Sequence, residues 1–502
     1  MIIYCRKNVY ILCITILAIF NIFITHRLIS ISKCSNTIGS NTKTLTKIAS
    51  NQLQKSQKPQ KQVQQQQSQP HQQQQQHQSQ QQPQKQQAAL NNNELSINKL
   101  NEPPQNEISL SQLMHLDSIR RPDLQDIDSI PLSNVNFHLG RFDNQNLYKY
   151  YDFVSIGRRY DYNIEDKICL ATQSSIERLH FIAQVAANWN GAISLAIYVS
   201  GNEEFNILQY YLTYLENCYE NIRDNVNIHL AVPKDRIPYK FITDLSKYLD
   251  LFSSCKISAE AMLQKLLKIR TVDTIKYRLR TAYPQNHLRN LARKGCQSKK
   301  VLLTDVDIIP NINLANQLET FFEKQTCKGL CAYVIPTFEL DVRTKFPQNR
   351  AELLRLVKKG LARPFHEKVF IYNQFATNFS KWIQNDKMDG DIVISHNVTN
   401  FEFLYEPFYI ADNTAPMFDE RFLGYGFTRN SQVYEMYLAG YQFQVLIPAF
   451  TCHWGLQRKK VRPAWREQQN NINRKKFEIF NDEISVRYRK KEKDQKSKGK
   501  KT

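Results

Sequence analysis

Between residues 168 and 303 the chain alternates short apolar runs with helix-like segments, and this alternation restricts its fold more than any other feature. Ile168-Cys169-Leu170-Ala171-Thr172 reads as a first strand. Ser174 and Ser175 then offer N-cap oxygens for a helix reaching about Asn188, with Ile176, Leu179, Ile182, Ala183 and Ala186 at helical spacing. Asn190-Gly191 ends that helix. Residues 193–199 form a continuous apolar strand, 205–219 a helix and 226–232 the next strand. Pro284 opens a further helix through Arg293, which leads into Val301-Leu302-Leu303. Strands and helices in turn, joined by short connections, predict an α/β domain with a parallel, Rossmann-like sheet. Beyond it the pattern loosens. Residues 330–335, 405–410 and 443–447 read as strands, separated by loop-rich stretches such as Pro364-Phe365-His366. Long loops over a rigid sheet suit a binding half.

The last of the regular strands runs into Thr304-Asp305-Val306-Asp307-Ile308-Ile309-Pro310. On an extended backbone, residues i and i+2 point to the same side, so Asp305 and Asp307 can converge on one hard cation. They would stand at the carboxyl end of a strand, where open α/β sheets bind ligands. An ion held by two side chains keeps positions free for a diphosphate, which is what transfer from a nucleotide-sugar requires. A lone Asp-x-Asp also occurs in ordinary turns, so the neighbours carry the argument. On the helix just before, Arg289, Asn290 and Arg293 could contact nucleotide phosphate or base; the plain alternative is a solvated basic face. Later, Phe450-Thr451-Cys452-His453-Trp454-Gly455 places His453 after an apolar run, where a neutral imidazole could be a third metal ligand. A hydrogen-bonded structural role is the commoner fate of a single histidine. Phe418-Asp419-Glu420-Arg421-Phe422-Leu423-Gly424-Tyr425-Gly426-Phe427 packs carboxylates, an arginine, aromatics and two glycines into ten positions. Asp419 or Glu420 could take an acceptor hydroxyl proton during backside attack, and the rings could stack on sugar faces. A surface ion pair beside a glycine turn is the alternative.

Composition divides the rest of the chain. Residues 50–93 are dominated by Gln, with almost nothing apolar to offset the entropy of ordering, and predict disorder. Ahead of them an apolar run over residues 9–24, flanked by Arg6-Lys7 and His26-Arg27, is just long enough to span a bilayer. No small-residue cleavage site follows closely, so an uncleaved signal anchor is expected rather than a signal peptide. The organisation is then a cytoplasmic tail at 1–8, a transmembrane anchor at 9–25, a disordered stem at 26–143, one large catalytic domain at 144–481 and a basic, disordered tail at 482–502. The formal charge of +21 is concentrated near the C-terminus, where residues 458–502 carry 17 Lys and Arg against 6 Asp and Glu. This suits a solvated tail better than a nucleic-acid footprint, since no zinc-finger, basic-zipper or helix-turn-helix signature is present, and no nucleic-acid partner is expected. Seven cysteines from Cys169 onward, an odd number, predict one to three disulfides and at least one free thiol. Asn378-Phe379-Ser380 and Asn397-Val398-Thr399 are acceptor sequons.

Several ordered motifs together resemble glycosyltransferase family 49. They are Asn286-His287-Leu288-Arg289-Asn290-Leu291-Ala292-Arg293, Asp305-Val306-Asp307, Tyr405-Glu406-Pro407-Phe408-Tyr409-Ile410, Asp419-Glu420-Arg421-Phe422, Gly424-Tyr425-Gly426-Phe427, Ala439-Gly440-Tyr441 and His453-Trp454-Gly455. The resemblance runs from about Lys167 to Gln457. It implies a GT-A fold, Mn²⁺ dependence, a UDP-sugar donor, a glycan or glycoprotein acceptor and residence in the Golgi membrane as a single-pass type II protein. It also implies that Asp305, Asp307 and His453 hold the metal and that Asp419 is the base. Ala376-Thr377-Asn378-Phe379-Ser380-Lys381-Trp382 resembles the family's acceptor-side stretch, but Asn373-Gln374-Phe375-Ala376 replaces the usual leading Gly-His-Ala, so the acceptor is left open. The expected activity is inverting transfer of glucuronic acid from UDP-glucuronate to a terminal xylose-like sugar. The alternatives are UDP-N-acetylglucosamine as donor, or a catalytically silent glycan-binding protein of the same fold. The Gln-rich stem has no expected counterpart in the family.

Overall fold

Strands buried on both faces make the middle of a ten-stranded mixed sheet, which is why they read as continuous apolar runs. The computed structural model describes residues 131–159, 167–239, 255–325, 327–387, 390–459, 461 and 463–498, the side chains of 490–498 excepted. The expected cytoplasmic tail, anchor and nearly all of the stem lie outside these residues.

In chain order, β1 (Arg141–Phe142) and β2 (Tyr148–Ser155) form an antiparallel ribbon. Then come β3 (Ile168–Ser175), α1 (Ile182–Trp189), β4 (Ile193–Tyr198), α2 (Asn202–Cys218), α3 (Glu220–Asn225) and β5 (Val226–Pro233). Helices α4 (Ala259–Leu267), α5 (Val272–Arg280) and α6 (Gln285–Gly295) precede β6 (Lys300–Leu303). After β7 (Ile309–Pro310) and α7 (Leu314–Lys324) follow β8 (Cys331–Ile335), β9 (Thr337–Leu340), α8 (Arg350–Lys358) and β10 (Ala362–Pro364). The remainder is α9 (Phe379–Gln384), β11 (Val393–Asn397), β12 (Phe408–Asp412), α10 (Arg429–Leu438), β13 (Gln442–Ile447), β14 (Thr451–Trp454) and α11 (Ala464–Lys498).

The large sheet has the order β1-β2-β5-β4-β3-β6-β12-β8-β13-β11. Within it β5, β4, β3 and β6 are parallel, as expected. The parallel reading ends there, because β12 runs antiparallel to both β6 and β8. A second sheet, β10-β9-β14-β7, brings the end of the chain's strands beside the residues that follow β6. One face of the large sheet packs on α1, α2, α4 and α7. The other packs on α6, α8, α9 and α10.

Three local expectations change. Ser174 and Ser175 belong to β3, and a 3₁₀ segment (Ile176–Phe181) without a side-chain cap precedes α1. The strand expected at 405–410 begins at Phe408, past Pro407, which has no N–H to give a ladder. The tail expected to be disordered from residue 482 is part of α11, which is helical through Lys498. Its Lys, Arg, Glu and Gln residues suit a helix, and its anchor is tertiary. Phe477, Phe480 and Ile484 are buried against Phe422, each such side chain contributing about 1.5–3 kcal/mol.

Candidate active site

The carboxylate pair does not sit on a strand face. β6 stops at Leu303, and the amide of Ile308 donates to the Asp305 carbonyl at 3.0 Å, closing a turn. The two side chains therefore meet different neighbours. The register of β3 on β6 continues to bring Gln173 alongside Asp305, and Gln173 Nε2 donates to Asp305 Oδ1 at 3.0 Å. Arg289 Nη2 reaches both Asp305 oxygens, at 3.1 and 3.2 Å. Arg429, the first residue of α10, donates to Oδ2 at 2.8 Å. Arg289 is itself oriented by Asn286 Oδ1 at 3.1 Å. Burial alone would push the Asp305 carboxyl up; Arg289 and Arg429 outweigh it and hold the group well below the usual carboxylate range.

Asp307 is the more open of the pair in chemistry. Arg178 Nη1 lies 3.3 Å from Oδ2, and His453 Nε2 lies 3.7 Å from the same oxygen. The second distance is too long for a hydrogen bond. Pairing of β14 with β7 and β9 is what carries His453 to this position from about 150 residues away in sequence. Its Nδ1 is buried without a hydrogen-bond partner among the described residues. A carboxylate oxygen and an imidazole nitrogen, converging but not bonded, fit a shared borderline cation. Asp305, with both oxygens engaged by guanidinium groups, fits less directly. Beside them, burial and the neighbouring His453 lower the His366 pKa to about 4, so that ring is neutral at pH 7. Asn373 Nδ2 bridges His366 Nδ1 at 2.7 Å and Glu406 Oε2 at 3.3 Å.

Asp305 and Asp307 line a cleft of about 510 Å³ together with Ser174, Ser175, Tyr198 and Tyr283. Its cations differ in availability. Arg278 lies over the Tyr198 ring and is paired with Glu177 and Glu204. Arg178 has a side chain 56 % exposed and only Asp307 as an ion-pair partner among the described residues.

The other expected residues are placed elsewhere. Arg293 donates to Asn413 Oδ1 and to the carbonyls of Asn413, Ala415 and Pro416. Asn290 exchanges hydrogen bonds with the Phe418 backbone at 2.8 and 2.9 Å and donates to Glu420 Oε1 at 3.0 Å. Both clamp the 413–420 loop onto α6, and neither lines the cleft of Asp305. Asp419 and Glu420 line a second, separate cavity of about 910 Å³ between α6, that loop and α11, not the cleft of Asp305. The Asp419 carboxylate is held by Arg421 at 2.9 Å. Its backbone carbonyl accepts from Asn286 Nδ2 at 2.8 Å, so the loop reaches Arg289 through Asn286. Glu420 also approaches Asp143 and His287, the three offering ligand atoms within 4.8 Å of one another. Asp143 Oδ1 already accepts two backbone amides at 2.7 Å, and Oδ2 meets His287 Nε2 at 3.3 Å, so hydrogen bonding accounts for that trio.

Residues that the sequence reading missed are Gln173, Arg178, Arg429 and Glu406. Gln173 follows from strand register, since it lies two positions beyond the Ala171↔Leu303 pair, as Asp305 does. Arg429 and Glu406 carry no local signal, because their position depends on how the second half folds over β6. Burial raises the Glu406 pKa despite Arg429 and Arg289 nearby.

Residues 167–489 match the family model described as glycosyl-transferase for dystroglycan. The chain is 30% identical over 327 residues to beta-1,4-glucuronyltransferase 1 of Danio rerio, covering 64% of this chain and 74% of that protein. The Homo sapiens protein of the same name is 30% identical over 331 residues, covering 64% and 76%. Xylosyl- and glucuronyltransferase LARGE1 of Mus musculus is 25% identical over 289 residues, covering 57% of this chain and 31% of that one.

Proposed function

The chain belongs to glycosyltransferase family 49 and is an enzyme of glycosyl transfer; on that premise we propose that its donor is UDP-glucuronate. The acceptor would be a terminal, xylose-like sugar of a glycoprotein glycan, and transfer would invert the anomeric centre in a GT-A arrangement. The proposal includes Golgi residence as a type II membrane protein. The names of the 30% identical relatives support the donor. The observation that carries the chemistry is the approach of His453 Nε2 to Asp307 Oδ2, 3.7 Å apart, beside the cleft that Asp305 and Asp307 line.

In this reading Asp307 and His453, with Asp305 as the second carboxylate, would hold Mn²⁺. When bound, the ion supplies Lewis-acid stabilisation of the diphosphate leaving group. The chain's own residues do the rest. Tyr198 and Tyr283 wall the cleft for the nucleotide, and Arg178 stands at its mouth with a free face for an anionic oxygen. Arg289 and Arg429 keep Asp305 ionised and fixed. Asn286 ties that arrangement to the 413–420 loop, so Asp419 enters the proposal as a loop residue beside the site rather than as a group inside the cleft.

The experiment is a donor screen of the purified chain with Mn²⁺ or with chelator, using UDP-glucuronate, UDP-xylose and UDP-N-acetylglucosamine. Metal-dependent turnover of UDP-glucuronate is expected. Preference for another donor would replace the glucuronyl assignment, and unchanged turnover in chelator would remove the metal.

A further inference from the structure

Helix α11 carries two apolar stripes, and only one of them packs on the domain. Phe477, Phe480 and Ile484 are buried with Asn473. Trp465, Ile472, Ile479 and Val486 are 57, 47, 59 and 67 % exposed. These four recur every seventh residue. Seven residues fall about 20° short of two full turns, so all four share one face, roughly a third of a turn from the buried stripe. Single exposed apolar residues are ordinary. Four in line, one per heptad, make a narrow apolar stripe bordered by Gln468, Lys475 and Asp482 on one side and Gln469, Lys476 and Glu483 on the other, a surface on which a second helix can lie.

The charges beside the seam select the partner and its direction. Lys476 and Glu483, on one flank, are engaged by Arg421. Lys475 and Asp482, on the other, are exposed and have no ion-pair partner among the described residues. They too are seven apart. A second copy laid parallel would set Lys475 against Lys475 and Asp482 against Asp482. Laid antiparallel about a two-fold beside Ile479, it sets Lys475 against the partner copy's Asp482 twice and Ile472 against Val486. An anionic bilayer suits the seam less, because Asp482 and Glu483 offset Lys475 and Lys476 along it, where an interfacial helix would carry mostly Lys or Arg.

We propose that α11 is a homodimerisation element, pairing antiparallel with a second copy of this chain through Ile472, Ile479 and Val486, with Lys475–Asp482 ion pairs at the flank. The paired part of the stripe, from Ile472 to Val486, spans about 21 Å of helix. With a contact some 10 Å wide, this gives a few hundred Å² per chain, below the roughly 800 Å² of a standard stable interface. The dimer is therefore reversible and concentration-dependent.

Sedimentation velocity of the full-length chain in density-matched detergent, over a concentration series, tests this. Ile479→Asp is expected to leave only monomer. Lys475→Glu and Asp482→Lys should each weaken association about tenfold, and the double reversal should restore it, since the two charges exchange places. All these positions are exposed, so thermal melting and donor turnover should be unchanged, which keeps misfolding out of the comparison. A wild-type chain that stays monomeric throughout overturns the proposal, as does association indifferent to the four variants. So does an Ile479→Asp variant whose sole deficit is co-sedimentation with phosphatidylserine vesicles, which would assign the stripe to a bilayer.

Discussion

Asp305 and Asp307 stand two positions apart, yet their substitution should fail in different ways. Asp305→Asn leaves Arg289 and Arg429, both nearly buried, without their counter-charge. It should cost about 3 kcal/mol or more and abolish turnover. Asp307→Asn removes only a contact to an exposed arginine and a non-bonded histidine. Turnover should fall about a hundredfold or more with no change in melting temperature, a contrast that calorimetry and kinetics read together. Arg178→Ala should raise the donor KM while leaving the melt in place, as expected for a cation with a free face. Far from the cleft, His229 sets a pH limit on stability. Its Nδ1 accepts the Phe153 amide at 3.0 Å, and burial lowers its pKa to about 4. The unfolded chain, with an ordinary histidine near 6.5, binds the proton first, so stability is complete above about pH 6.5 and declines as pH falls towards 4. The loss is up to about 3 kcal/mol. Denaturant titrations of wild type and His229→Gln across that window should differ in slope; parallel curves would remove the assignment.

At the scale of elements, legibility followed burial. The parallel strands β3 to β6 were readable because both faces are covered and most positions are apolar. The second sheet was not, since its strands are two to four residues long and include Pro310, Thr337 and Glu339, which carry no strand period. The segment from Phe418 to Phe427 was only partly legible for a related reason. Its Gly424 and Gly426 have φ of +70° and +92°, and a Cβ would fall 2.3 Å from Gln469 and 2.4 Å from Asn470 of α11. Its local composition records packing against a helix some fifty residues later, which no local pattern reveals. Asn473 completes that clamp, donating to the carbonyls of Leu423, Tyr425 and Gly426 at 2.9–3.1 Å. Asn473→Ala should destabilise the protein by about 2 kcal/mol, measured by chemical denaturation. The two sequons also separate at this scale. Both asparagines are exposed, but Asn378 is engaged as the cap of α9, accepting from the Lys381 amide, whereas Asn397 stands on the edge strand β11. If the domain is lumenal as proposed, glycosidase treatment should shorten the native protein but not Asn397→Gln.

At the scale of the molecule, three disulfides, Cys169–Cys296, Cys218–Cys255 and Cys327–Cys331, join the described residues, with Cys452 free and buried. This agrees with the expected one to three bridges and a spare thiol; the pairing itself could not be read from spacing. Cys169–Cys296 joins the first parallel strand to the end of the helix that carries Arg289, closing a loop of 127 residues. Replacing both cysteines by serine should cost roughly 4 kcal/mol and lower the melting temperature without altering donor preference. The order of these bridges along the chain has a consequence for biosynthesis. Cys218–Cys255 is nested inside Cys169–Cys296, so if the cysteines of this domain were joined in the order they are made, Cys169 would first meet Cys218, a pair absent from the native set. Reaching the native fold then demands either that Cys169 be kept reduced until Cys296 has been made, or that a thiol–disulfide exchange catalyst undo the early bridge.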